Sequence, residues 1–397
     1  MLEVEKEDEP PDTRSPLERF RKPPKKPLSV TDIVSPAWCE LQYWYTLKKY
    51  GKKKRTPAMK QGTRVHQELE AQVHDIIPVE VKTREDAWGL RIWNIIQGLR
   101  TLRATGLTRE LEIWGVIEGE VVNGIIDEIS YTCPDPDLEA ALEESKAIPN
   151  SPRPPNQLSI TDFYAKLKNG TSPWLSSPHP ARKVYITDIK TRTSNTLPQG
   201  SSLRQTLMQL MLYHRLLTNL ASGTVDSKEI FTRYNLDSVT PFSNVFMDEI
   251  ISLEQNFAPS TDSDSDYVPL SSATDTLSEL QLHNSLDSLW DLMIQEFSQT
   301  MPTSYAVSSI LRAEFRSQQD GTVLGSRCFT MDEKILEAYV NDEMKWWRGE
   351  REAKGVEVEE AYKCRVCEFA EDCEWRRGKI EEAIEKARLR RKSKSVV

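Results

Sequence analysis

Hydrophobic residues recur at helical spacing in the first third of the chain, and this pattern predicts helices there. Three segments follow the pattern, residues 38–45, 64–73 and 85–103. The sequence Ser29-Val-Thr-Asp32 lies just before the first of them and has the residue types of a helix N-cap. We therefore expect folded structure to begin close to residue 29.

The hydrophobic period then shortens to two, which is the period of a β-strand. Residues 111–116 and 121–131 alternate apolar and polar positions on either side of Glu118-Gly119, so they predict a hairpin with a two-residue turn. An apolar strand is predicted next at residues 183–192. A helix with dense apolar positions is predicted at residues 203–217.

The last third of the chain predicts a second hairpin and a further helix. The hairpin comprises residues 308–316 and 323–331, with a turn at Asp320-Gly321. The sequence Thr330-Met-Asp-Glu333 has the form of a capping box and opens a helix that continues through Trp347. A cysteine-rich window follows this helix.

Segments of low complexity divide the chain into a folded domain and its additions. Residues 1–28 are rich in proline and charge and are predicted to be disordered. Residues 134–180 and 257–276 are predicted to be insertions, the first with one short helix around residues 160–167. The folded domain therefore comprises residues 29–385, and residues 386–397 form a basic C-terminal tail.

The charge distribution is more informative than the formal net charge of −9. Between Lys48 and Arg64 the chain has eight basic residues and no acid, which makes this run a candidate surface for phosphate binding. A solvated face is the alternative explanation. No apolar stretch approaches the ~18 residues of a membrane span, so we expect no membrane association.

Two aspartates and a lysine are the candidate catalytic residues. Asp188 and Lys190 lie two apart in a predicted strand, so their side chains share a face. A surface ion pair would be the simple explanation for that pair alone. Asp127, however, ends the apolar run Gly124-Ile-Ile-Asp127, where a lone buried charge is costly. Two such carboxylates facing each other would form a Mg²⁺ site, for which waters and substrate phosphate supply the remaining ligands.

Polar residues on two predicted helices are candidates to complete this site. His66 and Glu70 are four residues apart and share a helix face, so either could contribute to the metal or phosphate site. Gln205, Gln209 and Tyr213 form a polar stripe on an otherwise apolar helix. Such a stripe requires a partner, and DNA phosphate or a catalytic carboxylate would satisfy it.

Four cysteines are candidate ligands of a second metal centre. Cys364, Cys367 and Cys373 have C-x2-C-x5-C spacing and require a fourth ligand, for which Cys39 is the best candidate because it heads the folded core. Four thiolates suit either zinc or an iron–sulfur cluster, and spacing does not choose between them. Cys133 and Cys328 are predicted to be free thiols.

The order of these motifs resembles the RecB-type nucleases of the PD-(D/E)XK fold and, with the cysteines, the exonuclease V family, also called defects in morphology proteins. The resemblance covers most of residues 29–385. It depends on the following motifs in chain order: Gly62-x3-His66-x3-Glu70, Gly124-Ile-Ile-Asp127, Asp188-Ile-Lys190-Thr-Arg192 and Gln209-x3-Tyr213. One departure is that the second acid is Asp188, where many relatives have glutamate.

The resemblance implies an α/β fold with a restriction-endonuclease-like core, a central mixed sheet flanked by helices, whose N- and C-terminal elements are tied by a 4Fe-4S cluster. It implies a single-strand-specific 5′ DNA exonuclease that releases short oligonucleotides. Its implied site residues are Asp127 and Asp188 as Mg²⁺ ligands, Lys190 and His66 as catalytic residues, Gln209, Tyr213 and Arg192 as substrate-binding residues, and Cys39, Cys364, Cys367 and Cys373 as cluster ligands.

The resemblance also bears on partners and location. It implies a monomer that acts on single-stranded DNA, with a single-strand-binding protein as a partner, in mitochondrial DNA replication, recombination or repair. The first residues lack the character of an organelle presequence, so a nuclear location stays open. The alternative function is a zinc-stabilised nucleic-acid-binding adaptor with an inert nuclease fold. An ATP-driven helicase–nuclease is not predicted, because this chain contains no G-x4-G-K-[ST] phosphate loop.

Overall fold

A mixed six-stranded sheet lies at the centre of the structure, a computed structural model that describes residues 12–53, 57–73, 79–147, 182–257, 279–303 and 305–394. The strands run in the order β1-β3-β4-β5-β6, and β2 pairs with β3. Their bounds are β1 Leu28–Ser29, β2 Leu107–Ile117, β3 Glu120–Ser130, β4 Val184–Arg192, β5 Val307–Ser317 and β6 Val323–Thr330.

The hairpin β2–β3 is the longest paired unit of the sheet. Glu118 and Gly119 both have positive φ, 50° and 77°, as a two-residue hairpin turn that follows the strand twist requires. The other side of β3 pairs with two strands in succession, in parallel with β1 at residues 122–123 and antiparallel to β4 at residues 128–130. Between these ladders, residues 124–127 of β3 pair with no strand on that side among the described residues.

Strand β4 diverges from β3 and continues alongside β5. It pairs antiparallel to β3 only through Thr187, and in parallel with β5 from Val184 to Arg192. The second predicted hairpin, β5–β6, completes the sheet. The order of pairing thus leaves an opening between β3 and β4 at the centre of the sheet.

Helices cover both faces of the sheet and the ends of the domain. The described helices are α1 Pro16–Phe20, α2 Val30–Val34, α3 Glu40–Tyr50, α4 Pro57–Glu70, α5 Arg84–Thr105, α6 Pro136–Ala147, α7 Arg204–Ala221, α8 Ser227–Tyr234, α9 Asn244–Phe257, α10 Leu286–Thr300, α11 Glu333–Trp347 and α12 Glu374–Lys394. None of them is long and apolar enough to cross a bilayer.

Two helices contact opposite faces of β4. Ile189 packs with Val65 and Leu69 of α4, whereas Lys190 reaches Gln209 of α7. Because neighbouring side chains of a strand point to opposite faces, α4 and α7 enclose β4 between them. The opening beside β3 is therefore the place where groups from α4, α7 and the two strands can meet.

The prediction of disorder over residues 1–28 is wrong for the described residues 12–28. Ser15 and Glu18 form a capping box that begins α1, and Leu17 is buried, with 4% of its surface exposed. Arg21 forms a two-point ion pair with buried Asp32, at 2.9 and 2.5 Å. This segment is ordered by tertiary contacts, which its composition does not reveal.

Other differences from the sequence-based expectations are local. The segment predicted as an insertion at residues 134–180 begins with helix α6, and its Glu139 receives hydrogen bonds from Lys183 and Tyr185 of the β4 region. The N-cap of α11 is Asp332 and not Thr330. The predicted helix at 160–167 and nearly all of the predicted insertion at 257–276 lie outside the described residues. In the tail, residues 386–391 are exposed on α12.

Candidate active site and cysteine cluster

Asp127 and Asp188 occupy opposed positions on β3 and β4. The ladder pairs Ser130 with Tyr185 and Glu128 with Thr187, so the next position places the two aspartates across from each other. The strands separate there, and Asp127 Oδ2 accepts a hydrogen bond of 2.6 Å from the backbone N–H of Ile189. The carboxylate thus accepts the hydrogen bond that a carbonyl of a paired strand would otherwise accept, and this bond connects β3 to β4 at the opening.

The two carboxylates are close and buried. Asp188 has no exposed side-chain surface, and Asp127 has 12%. Burial and the charge of Asp188 together raise the pKa of Asp127 to about 7. A carboxylate that resists ionisation beside a second, buried carboxylate is suited to a site that a cation neutralises.

Lys190 is held between a carboxylate and an amide. Its Nζ lies 2.9 and 2.8 Å from the two oxygens of Asp188 and donates to Gln209 Oε1 at 3.0 Å. Burial acts to lower the pKa of Lys190, but Asp188 and Asp127 outweigh this effect and raise it. Lys190 is therefore a fixed positive charge at the opening and not a proton acceptor at neutral pH.

Gln209 and Tyr213 form the support of this lysine. Gln209 Nε2 donates to the hydroxyl of Tyr213 at 2.8 Å, so the polar stripe predicted on α7 ends in a connected chain that leads to Lys190. Gly124 allows the approach, because a Cβ there would lie 2.8 Å from the Tyr213 ring. These contacts satisfy both side chains within the protein. Their predicted contact with DNA stays a prediction.

His66 reaches the site from α4. Its Nδ1 lies 3.2 Å from Glu110 Oε1 and 3.6 Å from Asp127 Oδ1, and its Nε2 lies 3.1 Å from the carbonyl oxygen of Ile189. Burial acts to lower the pKa of His66, but the carboxylates of Glu110 and Asp127 raise it overall. A histidine in this position can either carry a proton between two acids or, when neutral, bind a metal.

Glu110 is a site residue that sequence reasoning missed. The hairpin register pairs Arg109 with Glu128 and Leu111 with Ile126, which puts Glu110 opposite Asp127. Its φ of 51° is a left-handed conformation that non-glycine residues adopt rarely and that clusters at functional sites. The sequence did contain a signal, because the two-residue turn predicted at 118–119 already implies that residue 110 opposes residue 127.

The carboxylates and the histidine form a suitable donor set for a divalent cation. Ligand atoms of His66, Glu110 and Asp127 lie within 4.8 Å of one another, and they form the one such group of three or more among the described residues. Asp188 Oδ2 is buried and lies 2.8 Å from the ammonium of Lys190. Carboxylate oxygens suit Mg²⁺ or Mn²⁺, and the neutral imidazole of a histidine is a common metal ligand.

Arg192 and Glu70 lie near this group without joining it. The Arg192 guanidinium lies 6.0 Å from the ring centroid of Phe315, and its buried Nε has no hydrogen-bond partner in the described residues. Glu70 is close enough to Glu110 that burial and this neighbour raise its pKa. The structure records no contact of either side chain with Asp127 or Asp188.

The four predicted ligand cysteines line one cavity. Cys39 is the N-cap residue of α3, Cys364 lies in the 3-10 helix Val358–Val366, and Cys367 and Cys373 follow it. The cavity is also lined by apolar and aromatic side chains, among them Trp38, Phe369 and Trp375. Cys133 and Cys328 lie elsewhere, and none of the six cysteines forms a disulfide.

The spacing of the four sulfur atoms bears on which centre they would hold. Tetrahedral zinc with Zn–S bonds near 2.3 Å brings its sulfur atoms to about 3.8 Å from one another. No three of these sulfur atoms lie within 4.8 Å of one another, since His66–Glu110–Asp127 is the one such group among the described residues. The four thiols, as the structure places them, are thus not drawn together to the spacing of a tetrahedral zinc site.

Direct contacts hold the cysteine-bearing elements together. The backbone N–H of Leu41 donates to Lys354 O at 3.0 Å, and Lys49 forms an ion pair of 2.7 Å with Glu368. Tyr45 packs on Phe369 with ring centroids 5.6 Å apart. Burial and the neighbouring thiols raise the pKa of Cys39 to about 11, so ionising the set requires compensating positive charge.

Comparison with known proteins gives a consistent result. The family model described as exonuclease V, a 5′ deoxyribonuclease, matches residues 15–376. Exonuclease V of Danio rerio is 25% identical over 374 residues, 92% of this chain and 74% of that protein. A mitochondrial exonuclease V of Candida albicans (strain WO-1) is 22% identical over 477 residues, 90% of this chain and 75% of that protein. One from Candida glabrata is 25% identical over 239 residues, 51% of this chain and 44% of that protein.

Proposed function

Because this chain belongs to the exonuclease V family of 5′ deoxyribonucleases, and is thus a hydrolase that acts on DNA, we propose that it is a Mg²⁺-dependent, single-strand-specific exonuclease that releases short oligonucleotides. The observation that carries the proposal is the opposition of Asp127 and Asp188 across the opening between β3 and β4, with Lys190 fixed beside them.

The proposed cation would be held by Asp127 and Asp188, with Glu110 and His66 on the neighbouring side. When bound, Mg²⁺ supplies Lewis-acid chemistry, lowering the pKa of water and stabilising charge on the phosphate. Asp127 lies between these two groups of ligands. It is opposite Asp188 on the neighbouring strand, and its Oδ1 lies 3.6 Å from Nδ1 of His66 on α4. His66 would bind in its neutral form, so binding would release its proton.

Lys190 contributes by position and charge. Asp188 and Gln209 hold its ammonium on one side of the carboxylates, where it can orient the attacking water and stabilise negative charge on the scissile phosphate. Its raised pKa keeps this charge at neutral pH. Gln209 and Tyr213 act through Lys190, since their hydrogen bonds lead to it.

We further propose that the four cysteines hold a 4Fe-4S cluster with a structural role. The cluster is chosen over zinc because the cysteine spacing resembles that of the exonuclease V family, and the aromatic and apolar side chains around the four cysteines fit a buried cluster. Cys39 precedes Cys364 by more than three hundred residues. Bridging them would close a long loop, and this closure would stabilise the fold.

An end-labelled digest tests the nuclease proposal directly. Wild type should degrade single-stranded DNA from 5′ ends with Mg²⁺ and spare duplex DNA, and Asp188→Asn should reduce turnover at least ~10³-fold while DNA binding persists. Asp248→Asn, on the exposed side of α9, is the matched control that should keep full activity. Binding without cleavage in wild type would instead support the nucleic-acid-binding adaptor.

The metal centre has its own test. Protein purified without oxygen should be brown and should contain iron and sulfide in equal amounts, and Cys39→Ala should lose both. Colourless protein that contains one zinc would contradict the cluster and favour the zinc-stabilised alternative.

Location and partners extend the same proposal. We propose that the enzyme acts as a monomer on mitochondrial DNA together with a single-strand-binding protein, because several fungal relatives are named mitochondrial exonuclease V. A C-terminal fluorescent fusion in the source cell tests the location. A purely nuclear signal would exclude the mitochondrial role.

A further inference from the structure

Lys53 is a half-buried cation that the proposed chemistry does not yet use. It lies two residues beyond the C-cap of α3, and its Nζ is 3.3 Å from the hydroxyl oxygen of Ser35. Burial and the repulsion of Lys190 lower the pKa of Lys53. The 3-10 helix that carries Ser35 packs on α7, the helix from which Gln209 contacts Lys190, so the Lys53–Ser35 contact lies at the same helix as Lys190.

The surrounding protein provides Lys53 with no anionic partner. The acid that affects it electrostatically is Asp32, whose oxygens already accept hydrogen bonds from Arg21 at 2.9 and 2.5 Å and from Tyr43 at 2.6 Å. Across the described residues, no carboxylate lies within ion-pair distance of Lys53. Burying a cation without a counter-ion is costly, which points to an anion from outside the protein.

Other buried lysines of this protein differ in this respect. Lys363 is also buried, but its Nζ lies 2.6 Å from Glu360 and donates to the carbonyl of Trp38 at 3.0 Å. Lys190 is paired with Asp188. Of these three lysines, Lys53 is therefore the one whose ammonium is available to bind a substrate anion.

The position of Lys53 is set by the helix that starts at the cysteine cavity. Helix α3 begins after Cys39 and ends at Gly51, whose φ of 69° turns the chain out of the helix. Ser35, the hydrogen-bond partner of Lys53, belongs to the 3-10 helix just before Cys39. Both ends of this unit are packed and Lys53 contacts Ser35, so the lysine does not extend freely into solvent.

We propose that Lys53 binds a backbone phosphate of the DNA strand next to the scissile phosphate, so that this phosphate lies between Lys53 and Lys190. The proposal depends on the proposed nuclease function. A bound phosphate relieves the repulsion of the two cations and satisfies Lys53. Because this contact is present before and during the reaction, it contributes to binding and not to the chemical step.

The first test separates binding from chemistry. Lys53→Met should raise KM for single-stranded DNA about tenfold and leave kcat within about threefold, with a salt dependence of binding reduced by about one phosphate contact. Lys53→Arg should recover most of the affinity. Lys228→Ala is the control from outside the basic run, since Lys228 is exposed on α8, and it should leave KM within about twofold.

The second test locates the contact. Single methylphosphonate linkages, each of which removes one phosphate charge, are placed along the substrate near the 5′ end. One internal linkage should raise the wild-type KM, and Lys53→Met should lose this sensitivity at that linkage alone. If Lys53→Met behaves like Lys228→Ala, or lowers kcat at constant KM, the proposal is wrong. An inactive wild type would overturn the nuclease proposal itself. The affinity of wild type and Lys53→Met for the same set of methylphosphonate substrates would then test the phosphate contact of Lys53 separately.

Discussion

His66 Nδ1 lies 3.2 Å from Glu110 Oε1, and this contact joins helix α4 to the hairpin strand β2 at the candidate metal site. Neither residue is near the other in sequence, and neither lies on the strand that carries Asp188 and Lys190. The contact extends the candidate metal site beyond the two aspartates that define it in sequence.

Glu110→Gln tests this extension. The amide keeps the size of the side chain but removes its charge, so we expect the Mg²⁺ concentration for half-maximal activity to rise about tenfold or more, with activity recovered at high Mg²⁺. Titrating activity with Mg²⁺ measures the effect. Glu112→Gln, on the same strand and ion-paired with Arg91, is the control. Equal Mg²⁺ dependence in the two variants would remove Glu110 from the site.

Removing the support of Lys190 should lower turnover without removing the lysine. In Gln209→Leu the ammonium loses its 3.0 Å hydrogen bond and keeps only Asp188. We expect kcat of Gln209→Leu to fall about ten- to a hundredfold, because a misplaced charge stabilises the transition state less well. The kcat of Lys190→Ala should fall further, because that variant has no charge at this position. Single-turnover kinetics measure both. A Gln209→Leu enzyme whose kcat is unchanged would show that Lys190 needs no such support.

A stability change with pH is expected from the buried acid Glu343. Burial and nearby Glu40 raise its pKa well above 4.5, so the folded protein binds a proton there that the unfolded chain releases. Stability from this group is therefore fully present below the unfolded pKa, near 4.5, and is lost by at most about 1.4 kcal/mol per pH unit as pH rises towards the folded pKa. Glu343→Gln removes this dependence.

The measurement is the thermal midpoint of wild type and Glu343→Gln at pH 5 and pH 8. The glutamine variant should be more stable at pH 8, and the difference should shrink at pH 5. Glu40 Oε1 is buried without a hydrogen-bond partner in the described residues, so the new amide also has an acceptor available. A difference that does not vary with pH would contradict the assignment of the proton to Glu343.

Gly124 should tolerate no side chain. A Cβ at this position would lie 2.8 Å from the Tyr213 ring and 2.9 Å from Val30, so Gly124→Ala should cost about 1–3 kcal/mol of unfolding free energy through overpacking. It should also reduce turnover, because Tyr213 supports Gln209. Gly378→Ala, where nothing lies within 4 Å, is the control and should lose no stability. Denaturant unfolding distinguishes the two.

The regular elements near the site could be predicted because their patterns are local. The predicted bounds of strand β4 and of the hairpin around Glu118-Gly119 lie within a few residues of the observed bounds, because alternation and turn type depend on neighbours in sequence. Helix α1 was missed for the opposite reason. It has only five residues, and it is ordered by the burial of Leu17 and the ion pair of Arg21 with Asp32.

By itself the sequence determined which residues could do chemistry: the acids and the lysine on predicted strands, the polar stripe on an apolar helix, and the spaced cysteines. Only the tertiary structure decided that β3 and β4 separate where Asp127 opposes Asp188, and that His66 and Glu110 reach that opening. The reason is physical. Periodicity and turn type act between neighbours, whereas the pairing of β3 with β4, and the packing of helices on them, join residues far apart in the chain and depend on the whole core.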